Sequence, residues 1–554
     1  MSTTLLPTAA AKRAQQPDLV ATWSIGALTG EGPLSFPVDP ELPASPKPRY
    51  RSSYQPPDPT SLDSSGLDQA SEFEIALRLI DFSALERALA HIYKLSGKGQ
   101  IPFHPVSLFL AVCLRLELQL SWRALARLLR SDTHGAGWRR LLGFRDRETP
   151  SASGLRSFFQ RVGPEMFAQL CPQFTDLLRS CGRFPEQSTF PSDPPTRGVS
   201  VCQDGMLHPA RHRHTCQLAT DACFTPLAEP PGEDGQGEVP SRPCRAREHN
   251  QPGCTCAEPT CQARCTRAST CDPDARLIHY AGRSRQAGPS RDPTGPSRPP
   301  ARGIDVFGYR SLAERVLDDR FAVAWTVQSD SYPANTDERS VFTERVQALT
   351  QRFPDLDIGE WLDDAGVSFG ECLDTIWELG ALRMVDIRAD PSDQNVEACR
   401  KRGYDEHGRP LCPHGYRLRA NGYDAERRRT KYICHQACRR EPLEKDGPIQ
   451  PVISCPFVEP ANSCGFVRNV GRTLPDGSSR LAREIPYGSP AWKQRYGRRN
   501  LAESRNGQLE GMGLKRMRSF GQERAGKDVQ LADFVINLRT LGRLVREAMN
   551  QTAC

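Results

Sequence analysis

The segment Trp492–Gly507 holds one carboxylate inside a strongly basic stretch that is predicted to be helical. Tyr496, Arg499 and Glu503 stand at offsets 0, 3 and 7, and about 100° per residue puts all three on one helix face. An acid on a basic face suggests a metal ion next to a phosphate. The alternative is a solvated helix, whose Arg–Glu spacing gives a surface ion pair worth roughly 0.2–0.5 kcal/mol.

Two aspartates upstream each follow a short apolar run. Gly198–Asp204 is rich in β-branched residues and ends in an acid followed by glycine, which predicts a buried strand with its carboxylate at the exit. Ile358–Asp364 repeats this grammar, with Asp364 as the candidate and the adjacent Asp363 as the alternative. A strand followed by such an acid is also an ordinary turn, so the prediction depends on the three acids taken together.

Three carboxylates from distant parts of the chain suit phosphodiester chemistry. Two divalent cations about 3.5–4 Å apart can activate the attacking oxygen and stabilise the leaving one. Mg²⁺ prefers hard oxygen ligands. Asp204, Asp364 and Glu503 have this chemistry and could together hold two Mg²⁺ ions.

The spacing Tyr496, two residues, Arg499, three residues, Glu503 resembles the signature of a large group of bacterial insertion-sequence transposases with a DDE active site. The resemblance implies that Asp204, Asp364 and Glu503 are the catalytic, metal-binding residues. It also implies that the tyrosine and the arginine hold the DNA backbone, the arginine through a bidentate fork.

One position departs from the family signature, and the surrounding charge suits a polyanion. Where the signature continues with six residues and a lysine, this chain has Glu510. The segment from 489 to 524 carries nine Lys and Arg residues against three Glu residues, a local charge of +6, and 416–441 carries +5. Such stretches favour salt-dependent binding to phosphates. The further side chains predicted to bind DNA are Lys493, Arg498, Arg505 and Lys515.

The region between the two aspartates also resembles these transposases, through Phe307–Arg310, Ala322–Val327 and Tyr332–Asp337. The fold class that the patterns predict is α/β, and the resemblance implies an RNase H-like mixed sheet flanked by helices. With the first strand, the predicted strands are 276–281, 309–312 with 320–327, 358–362 and 383–387. The predicted helices are 337–351, 369–379 and 490–511.

The N-terminal third divides into an arm and a helical region. Residues 1–66, rich in Pro and Ser, predict a disordered arm. Residues 67–190 predict a helical DNA-binding domain, with helices at 73–93, 105–118, 121–130, 151–162 and 164–180. Ser121–Arg130 is amphipathic and basic, and the segment from Pro150 resembles the entry to a helix-turn-helix reading helix. A helical packing domain with an incidental basic face is the alternative.

Twenty cysteines without a secretion signal indicate reduced thiols or metal binding rather than disulfides. Two Cys-rich insertions carry many of them, 223–272 and 391–485, and a flexible basic loop is predicted at 283–302. The first group is Cys244, Cys254, Cys256, Cys261, Cys265 and Cys271 with His249, whose spacing matches no standard pair of hooks. The candidate ligands of a structural Zn²⁺ in the second are Cys412, His414, Cys434, Cys438, Cys455 and Cys464.

Length and hydropathy set the class of protein. At 554 residues and 38% hydrophobic content, the chain has room for two to four domains with substantial cores. No apolar run approaches the roughly 18–20 residues that span a bilayer, so a cytoplasmic location without membrane contact is expected. The catalytic domain is predicted at 196–390 and 486–549, and the amphipathic segment 531–549 is expected to pack into the core.

These patterns predict a DNA transposase that cuts the ends of its mobile element and joins the 3′-hydroxyl to target DNA. The expected partner is double-stranded DNA, both terminal inverted repeats and target, and pairing of two ends implies a homodimer. One alternative is a nuclease or an inactive copy that moves nothing. The other is a non-enzymatic, zinc-containing DNA-binding regulator.

Overall fold

The structure is a computed structural model. It describes residues 22–30, 32–38, 49–59, 69–93, 100–146, 148–211, 272, 274–280, 304–386, 400–401, 403–404, 410–413, 415, 417–424, 427, 429–434, 466–470, 483–485, 487 and 489–552. The helices are α1 (Ile25–Thr29), α2 (Glu72–Leu79), α3 (Leu85–Ala90), α4 (Pro105–Glu117), α5 (Trp122–Arg130), α6 (Ala136–Leu142), α7 (Ala152–Arg161), α8 (Pro164–Ala168), α9 (Leu170–Ser180), α10 (Glu338–Arg352), α11 (Gly370–Glu378), α12 (Pro490–Tyr496), α13 (Arg499–Gly511) and α14 (Gln522–Thr552). The strands are β1 (Leu34–Ser35), β2 (Ile80–Asp81), β3 (Val199–Pro209), β4 (Arg276–Tyr280), β5 (Ile304–Asp318), β6 (Val323–Pro333), β7 (Ile358–Asp363), β8 (Leu382–Val385), β9 (Leu418–Asp424), β10 (Arg429–Cys434) and β11 (Val467–Val470).

The main sheet is mixed and confirms the α/β class. Its strands run in the order β6, β5, β3, β7, β8. Strand β4 also pairs with β5, along the part of β5 that precedes its pairing with β6. The pairings of β5 with β3, β4 and β6 are antiparallel, whereas β3 with β7 and β7 with β8 are parallel. Helix α10 connects β6 to β7, and α11 connects β7 to β8. Parallel neighbours require such crossover helices.

The antiparallel half of this sheet is larger than the sequence predicts. We expected one interrupted strand from 309–312 and 320–327, and the structure has two long paired strands, β5 and β6. Ala322 adopts a positive φ of 51° in the connection between them. The buried Asp318 accepts hydrogen bonds from the main chain and the guanidinium of Arg320. This local chemistry closes the hairpin, and the pattern of apolar residues did not reveal it.

Strand β3 does not end at Asp204, as the sequence predicts. It continues to Pro209, because the antiparallel partner β5 pairs with it along the whole length from Val201. Its parallel partner β7 pairs with it only from Val199 to Cys202. Asp204 therefore lies within a strand, but beyond the point where the parallel pairing ends.

The predicted helix 490–511 is two helices. Helix α12 ends at Tyr496, and α13 begins at Arg499 after the Gly497–Arg498 turn. The two turn residues keep helical dihedral angles, and Gly497 still donates to the carbonyl four residues back. The next bonds, from Arg498, Asn500 and Leu501, span three residues instead. The prediction of one shared helix face therefore holds for Arg499 and Glu503, which both lie in α13. It does not extend to Tyr496.

The predicted helices of the N-terminal region form, with two interruptions. Ser121 and Ser151 each accept a hydrogen bond from a main-chain N–H three residues on, at the starts of α5 and α7. The predicted helix 73–93 is broken by the short strand β2, and 164–180 is broken at Gln169. Strand β2 pairs with β1, so a tertiary partner overrides the helical periodicity there.

The prediction of a disordered arm over 1–66 is wrong for parts of that stretch. Trp23 is buried and stacks on Trp325 of β6, with ring centroids 5.9 Å apart. Phe36 is also buried and lies against Phe534 of α14. These aromatic side chains bind their stretches of the N-terminal segment to the core.

The helical region and the sheet share one hydrophobic core around α14. Phe534 lies within 5.6–6.4 Å, between ring centroids, of four other aromatic rings, those of Phe36, Phe82, Phe109 and Phe174. On its other side α14 contacts β6. Leu538, Leu541 and Leu544 are buried too, which confirms that 531–549 packs into the core. Gly542 allows a close approach, since a Cβ there would meet the carbonyl of Glu72.

The described part of the second Cys-rich insertion contains a small antiparallel sheet. Its strands run β11, β10, β9. Thr430 of β10 donates a hydrogen bond to the main-chain carbonyl of Arg483, and the Arg483 guanidinium donates to the carbonyl of Val385 in β8. These bonds link this sheet to the main one. Apart from Asp272, the first insertion lies outside the described residues, and so does the loop 283–302.

Within the described residues no single helix is both long and apolar enough to cross a membrane. Helices α4 and α5 reach that length and composition only together, and they are bent by 113° relative to each other.

Because one core serves both regions, we expect Phe534→Ala to destabilise the whole chain by about 3–5 kcal/mol, the cost of a large buried cavity. Guanidinium unfolding followed by far-UV circular dichroism and by tryptophan fluorescence should show one transition, shifted equally in both signals. The matched control is Asn550→Ala, an exposed position on the same helix, with no measurable shift. Two separate transitions, with only one shifted, would contradict a shared core.

Candidate active site

The parallel pair β3 and β7 brings Asp204 and Asp364 to one edge of the sheet. The last residues paired across these strands are Cys202 and Leu362, and each aspartate stands two positions further on. Since side chains alternate, both aspartates belong to the same sheet face as Cys202 and Leu362. That face packs against Ala502 of α13. Two of the three predicted acids thus stand side by side beneath the helix that carries the third.

Asp204 is a buried carboxylate with an unsatisfied oxygen. Its exposed fraction is 3%, and its Oδ2 has no hydrogen-bond partner among the described residues. Burial raises its pKa to about 6, against the opposing effect of the Arg505, Arg499 and Arg315 guanidinium groups, while the Glu503 carboxylate adds to the rise. A buried acceptor without a donor is costly, and a cation would satisfy it.

Asp363 and Asp364 form a tight turn after β7. Asp363 Oδ1 accepts the main-chain N–H of Asp364 at 2.8 Å, and its Oδ2 lies 3.4 Å from the Trp361 indole nitrogen. Burial raises the pKa of Asp363 well above its usual value, and the neighbouring carboxylates of Asp364 and Glu338 raise it further. Asp364 is half-buried, and its Oδ1 accepts the Gly366 N–H at 2.5 Å. The oxygens of Asp363 are therefore occupied within the turn, while Asp364 Oδ2 is not used by the turn.

A fourth acid, Glu338, lies at this edge of the sheet, and it is not among the acids predicted from the sequence. It is the first residue of α10, and carboxylate oxygens of Glu338, Asp363 and Asp364 lie within 4.8 Å of one another. Burial raises its pKa, Arg310 opposes the rise, and the carboxylates of Asp364 and Asp204 add to it. The available signal was Asp337, a helix-capping residue followed directly by an acid. Asp337 is the first residue of the helix predicted over 337–351.

Glu503 and Asp364 are connected by Arg499. The Arg499 guanidinium donates to Glu503 Oε1 one turn along α13, and its Nη2 lies 3.7 Å from Asp364 Oδ2. The ion pair of the alternative interpretation therefore exists. It is not an isolated surface pair, because the guanidinium is largely buried, with 16% of its side chain exposed, and also approaches the end of β7. Glu503 itself is 43% exposed at the side chain and so faces solvent as well as the sheet edge.

Tyr496 is held by stacking on Trp492. Their ring centroids are 4.4 Å apart and their planes are inclined by 15°. Burial raises the pKa of Tyr496, and the carboxylates of Asp386, Asp364 and Asp363 raise it further, whereas Arg499 lowers it. The phenol is thus neutral near pH 7 and lies close to the acidic edge.

Two of the predicted DNA-binding arginines are interior residues. Arg498 pairs with Asp319 at 2.7 Å and with Glu360, and Arg505 is fully buried in a bidentate pair with Asp533 at 2.6 and 2.8 Å. A guanidinium already saturated by buried carboxylates is not presented to a phosphate. Their role in this structure is to fix α13, which corrects the prediction drawn from local charge alone.

The predicted lysines are on the surface. Lys493 is exposed, and Lys515 is 73% exposed at the side chain. Lys515 pairs with Glu510 at 3.1 Å. The acid that departs from the family signature therefore lies next to a nearby lysine, at the end of α13.

Two of the predicted zinc ligands, Cys412 and Cys434, belong to the described residues. Cys412 and Cys434 are both buried in one small cluster with Tyr404, Leu418, Tyr432 and Val470. His414, Cys438, Cys455 and Cys464 lie outside the described residues. So do the cysteines of the first group and His249.

The helical region presents a row of basic side chains. Arg123, Arg127 and Arg130 are all exposed on α5, at spacings of four and three residues that place them on one helix face. The opposite face carries the buried Leu125 and Leu129. Helix α7 packs against α5, with Trp122 and Phe159 centroids 5.6 Å apart.

The pKa of Asp204 gives a prediction about stability. The pKa of an aspartate in the unfolded chain is about 4, whereas burial raises the pKa of Asp204 in the folded state to about 6. Between these values the folded state binds the extra proton, so this residue makes stability fall as pH rises. In EDTA, urea unfolding should show Asp204→Asn gaining about 2–3 kcal/mol relative to the wild type from pH 4 to pH 7. Exposed Glu344→Gln is the control and should show no such gain; a pH-independent difference for Asp204→Asn would contradict the assignment.

Residues 65–161 match the family model described as Transposase domain (DUF772). No curated protein matches the chain. The matched segment runs from before α2 to the end of α7, and the acidic residues at the sheet edge lie outside it. The match supports a transposase family for this chain and suggests a DNA-cutting enzyme.

Proposed function

We propose that this protein is a DDE transposase that cleaves the ends of its mobile element and joins the freed 3′-hydroxyl to target DNA. The observation that carries the proposal is the Oδ2 of buried Asp204, which has no hydrogen-bond partner in the described part of the chain. It lies at the same sheet edge as Asp364 and below the helix of Glu503. The transposase-domain match supports the same reading. The mixed sheet with flanking helices agrees with the RNase H-like fold expected of such enzymes.

The donor set suits Mg²⁺. Every candidate ligand is a carboxylate oxygen, the hard donor that Mg²⁺ prefers, and the two buried thiols of the described insertion lie in a separate cluster. Asp204, Asp364 and Glu503 would hold the ions. Asp364 is preferred over Asp363 because it shares the sheet face of Asp204 and has an oxygen that its turn does not use. Two Mg²⁺ ions, when bound, would activate the attacking oxygen and stabilise the leaving one.

Side chains of α12 and α13 would hold the DNA backbone beside the metal ions. Arg499 pairs with Glu503 and Asp364 in the structure, and metal binding to those carboxylates would free its fork for a phosphate. Tyr496, fixed by Trp492, would donate its hydroxyl to the backbone beside that arginine. Arg498 and Arg505 contribute by anchoring α13 rather than by touching DNA.

Double-stranded DNA is the proposed partner, and the exposed arginines of α5 are its proposed contact in the helical region. The three guanidinium groups are exposed on one helix face, opposite the buried Leu125 and Leu129, and each can contact a phosphate. A homodimer follows from the need to pair two ends. A structural Zn²⁺ on Cys412 and Cys434, with ligands from beyond the described residues, completes the proposal.

Two other functions differ in what they require. A nuclease or inactive copy would use the same acids without strand transfer, and Glu510 in place of lysine is the residue that favours it. A zinc-containing regulator would bind DNA without the acids and would depend on Cys434 and Cys438. In vitro strand transfer with matched ends separates the first from a transposase, and inverted repeats flanking the coding sequence would exclude the second.

We expect Asp204→Asn, Asp364→Asn and Glu503→Gln each to reduce Mg²⁺-dependent cleavage of a terminal-repeat duplex by about 100-fold or more, since each removes a ligand of the reacting centre. DNA binding, measured by gel shift, should persist. Asp363→Asn should lose less activity than Asp364→Asn. Exposed Glu344→Gln is the matched control. Wild-type cleavage by folded Glu503→Gln would overturn the assignment.

A second experiment tests the α5 surface. Replacing Arg123, Arg127 and Arg130 together by Ala should weaken binding to any duplex and reduce the slope of log affinity against log salt by about 2–3, because each phosphate contact contributes about 0.9. Fluorescence anisotropy at several salt concentrations measures both. Arg87→Ala, exposed on α3, should change neither. An unchanged salt slope in the triple variant would show that this face does not contact DNA.

A further inference from the structure

We propose that Glu338 is a fourth metal-binding carboxylate, which holds one ion together with Asp364 and Asp204. The inference rests on the proposed function, because it concerns the same ions. It adds a ligand from a different helix on the other side of the sheet. Neither the resemblance nor the matched domain points to this residue.

The position of Glu338 is set by the start of α10. Asp337 caps the helix by accepting the Arg339 N–H at 3.1 Å, so Glu338 occupies the first helical position. A carboxylate there is stabilised by the unpaired N–H groups of the first turn. Its oxygens come within 4.8 Å of those of Asp363 and Asp364. The backbone thus brings a third carboxylate to the turn that follows β7.

The two oxygens of Glu338 have different surroundings. Oε1 accepts a hydrogen bond from Arg310 of β5. Oε2 lies on the side of the Asp364 turn, 3.4 Å from where a Cβ on Gly366 would stand. One oxygen is therefore fixed by a cation of the protein, and the other is directed toward the acidic edge. This is how a ligand is oriented by a residue behind it.

The second observation is the buried Asp204. Its Oδ2 has no hydrogen-bond partner among the described residues, and only 3% of Asp204 is exposed. The neighbouring Gly205 leaves room for this approach, since a Cβ there would stand 3.1 Å from Glu338 Oε1. An oxygen without a donor, beside crowded carboxylates, is an acceptor site for a cation.

Helices on opposite faces of the sheet supply the outer ligands. Trp361 of β7 packs against Phe342 of α10, with centroids 5.3 Å apart, whereas its neighbour Leu362 lies in the cluster with Ala502 of α13. Glu338 therefore approaches the aspartates from the α10 side and Glu503 from the α13 side. Two ions would each gain one glutamate, with the aspartates between them.

The test measures metal binding by the full-length, DNA-free protein. Mn²⁺ titration followed by electron paramagnetic resonance should show Glu338→Gln losing one ion or binding it at least about tenfold more weakly. The rise in melting temperature on adding Mn²⁺ should shrink in parallel. Glu338→Asp, which retains a carboxylate, should restore part of both. Glu344→Gln on the same helix should behave as the wild type.

Asp204→Asn separates this inference from the proposed function. If Asp204→Asn weakens Mn²⁺ binding and Glu338→Gln, folded by circular dichroism, does not, the role of Glu338 is overturned while the metal site stands. If neither variant changes Mn²⁺ binding, the proposed function fails as well. Should Glu338→Gln fail to fold, Glu338→Asp decides: affinity between that of the wild type and that of Asp204→Asn supports a ligand, and unchanged affinity overturns it.

Discussion

The parallel pairing of β3 with β7 is the constraint on which the acidic edge depends. These strands are far apart in sequence, and their register, with Cys202 opposite Leu362, sets Asp204 and Asp364 side by side. Parallel strands direct their ends to the same edge, so the two carboxylates meet there without any local turn between them. Crowding like charges costs free energy. The register is kept nevertheless, because a shift of one strand by one residue would expose its apolar face.

Buried ion pairs and polar contacts hold the helices to that sheet. The Arg505–Asp533 pair joins α13 to α14, and Arg315 of β5 donates to the main-chain carbonyl of Ala502 at 2.8 Å. His208 donates its Nδ1–H to the main-chain carbonyl of Leu514 at 2.7 Å, and its Nε2 accepts from the Ser311 hydroxyl at 2.8 Å; burial lowers the pKa of His208 to about 4. A pair of this kind contributes little net stability, but removing one partner leaves an unpaired charge in the interior. These contacts define the position of Glu503 relative to the strands.

Much of the secondary structure was predictable, because capping residues and apolar periodicity act locally. The starts of α4, α5 and α7 follow from Pro105, Ser121 and Ser151, and the strand β7 and helix α11 lie where the patterns predict them. The errors came from tertiary partners: β3 is extended by β5, and 73–93 is divided by the pairing of β2 with β1. Charge was the least reliable guide, since Arg498 and Arg505 belong to a basic segment and yet are buried.

The sequence by itself determined the candidate residues of the proposed site, Asp204, Asp364 and Glu503, and the order of the elements that carry them. It did so because residue type and spacing are local properties. Only the tertiary structure decided which charged side chains are paired and which of them lie together. It paired Arg505 with Asp533, connected Arg499 to Asp364 and Glu503, and brought Glu338 to the sheet edge. The physical reason is that burial and pairing depend on how separate helices and strands pack together, and no local pattern records that packing.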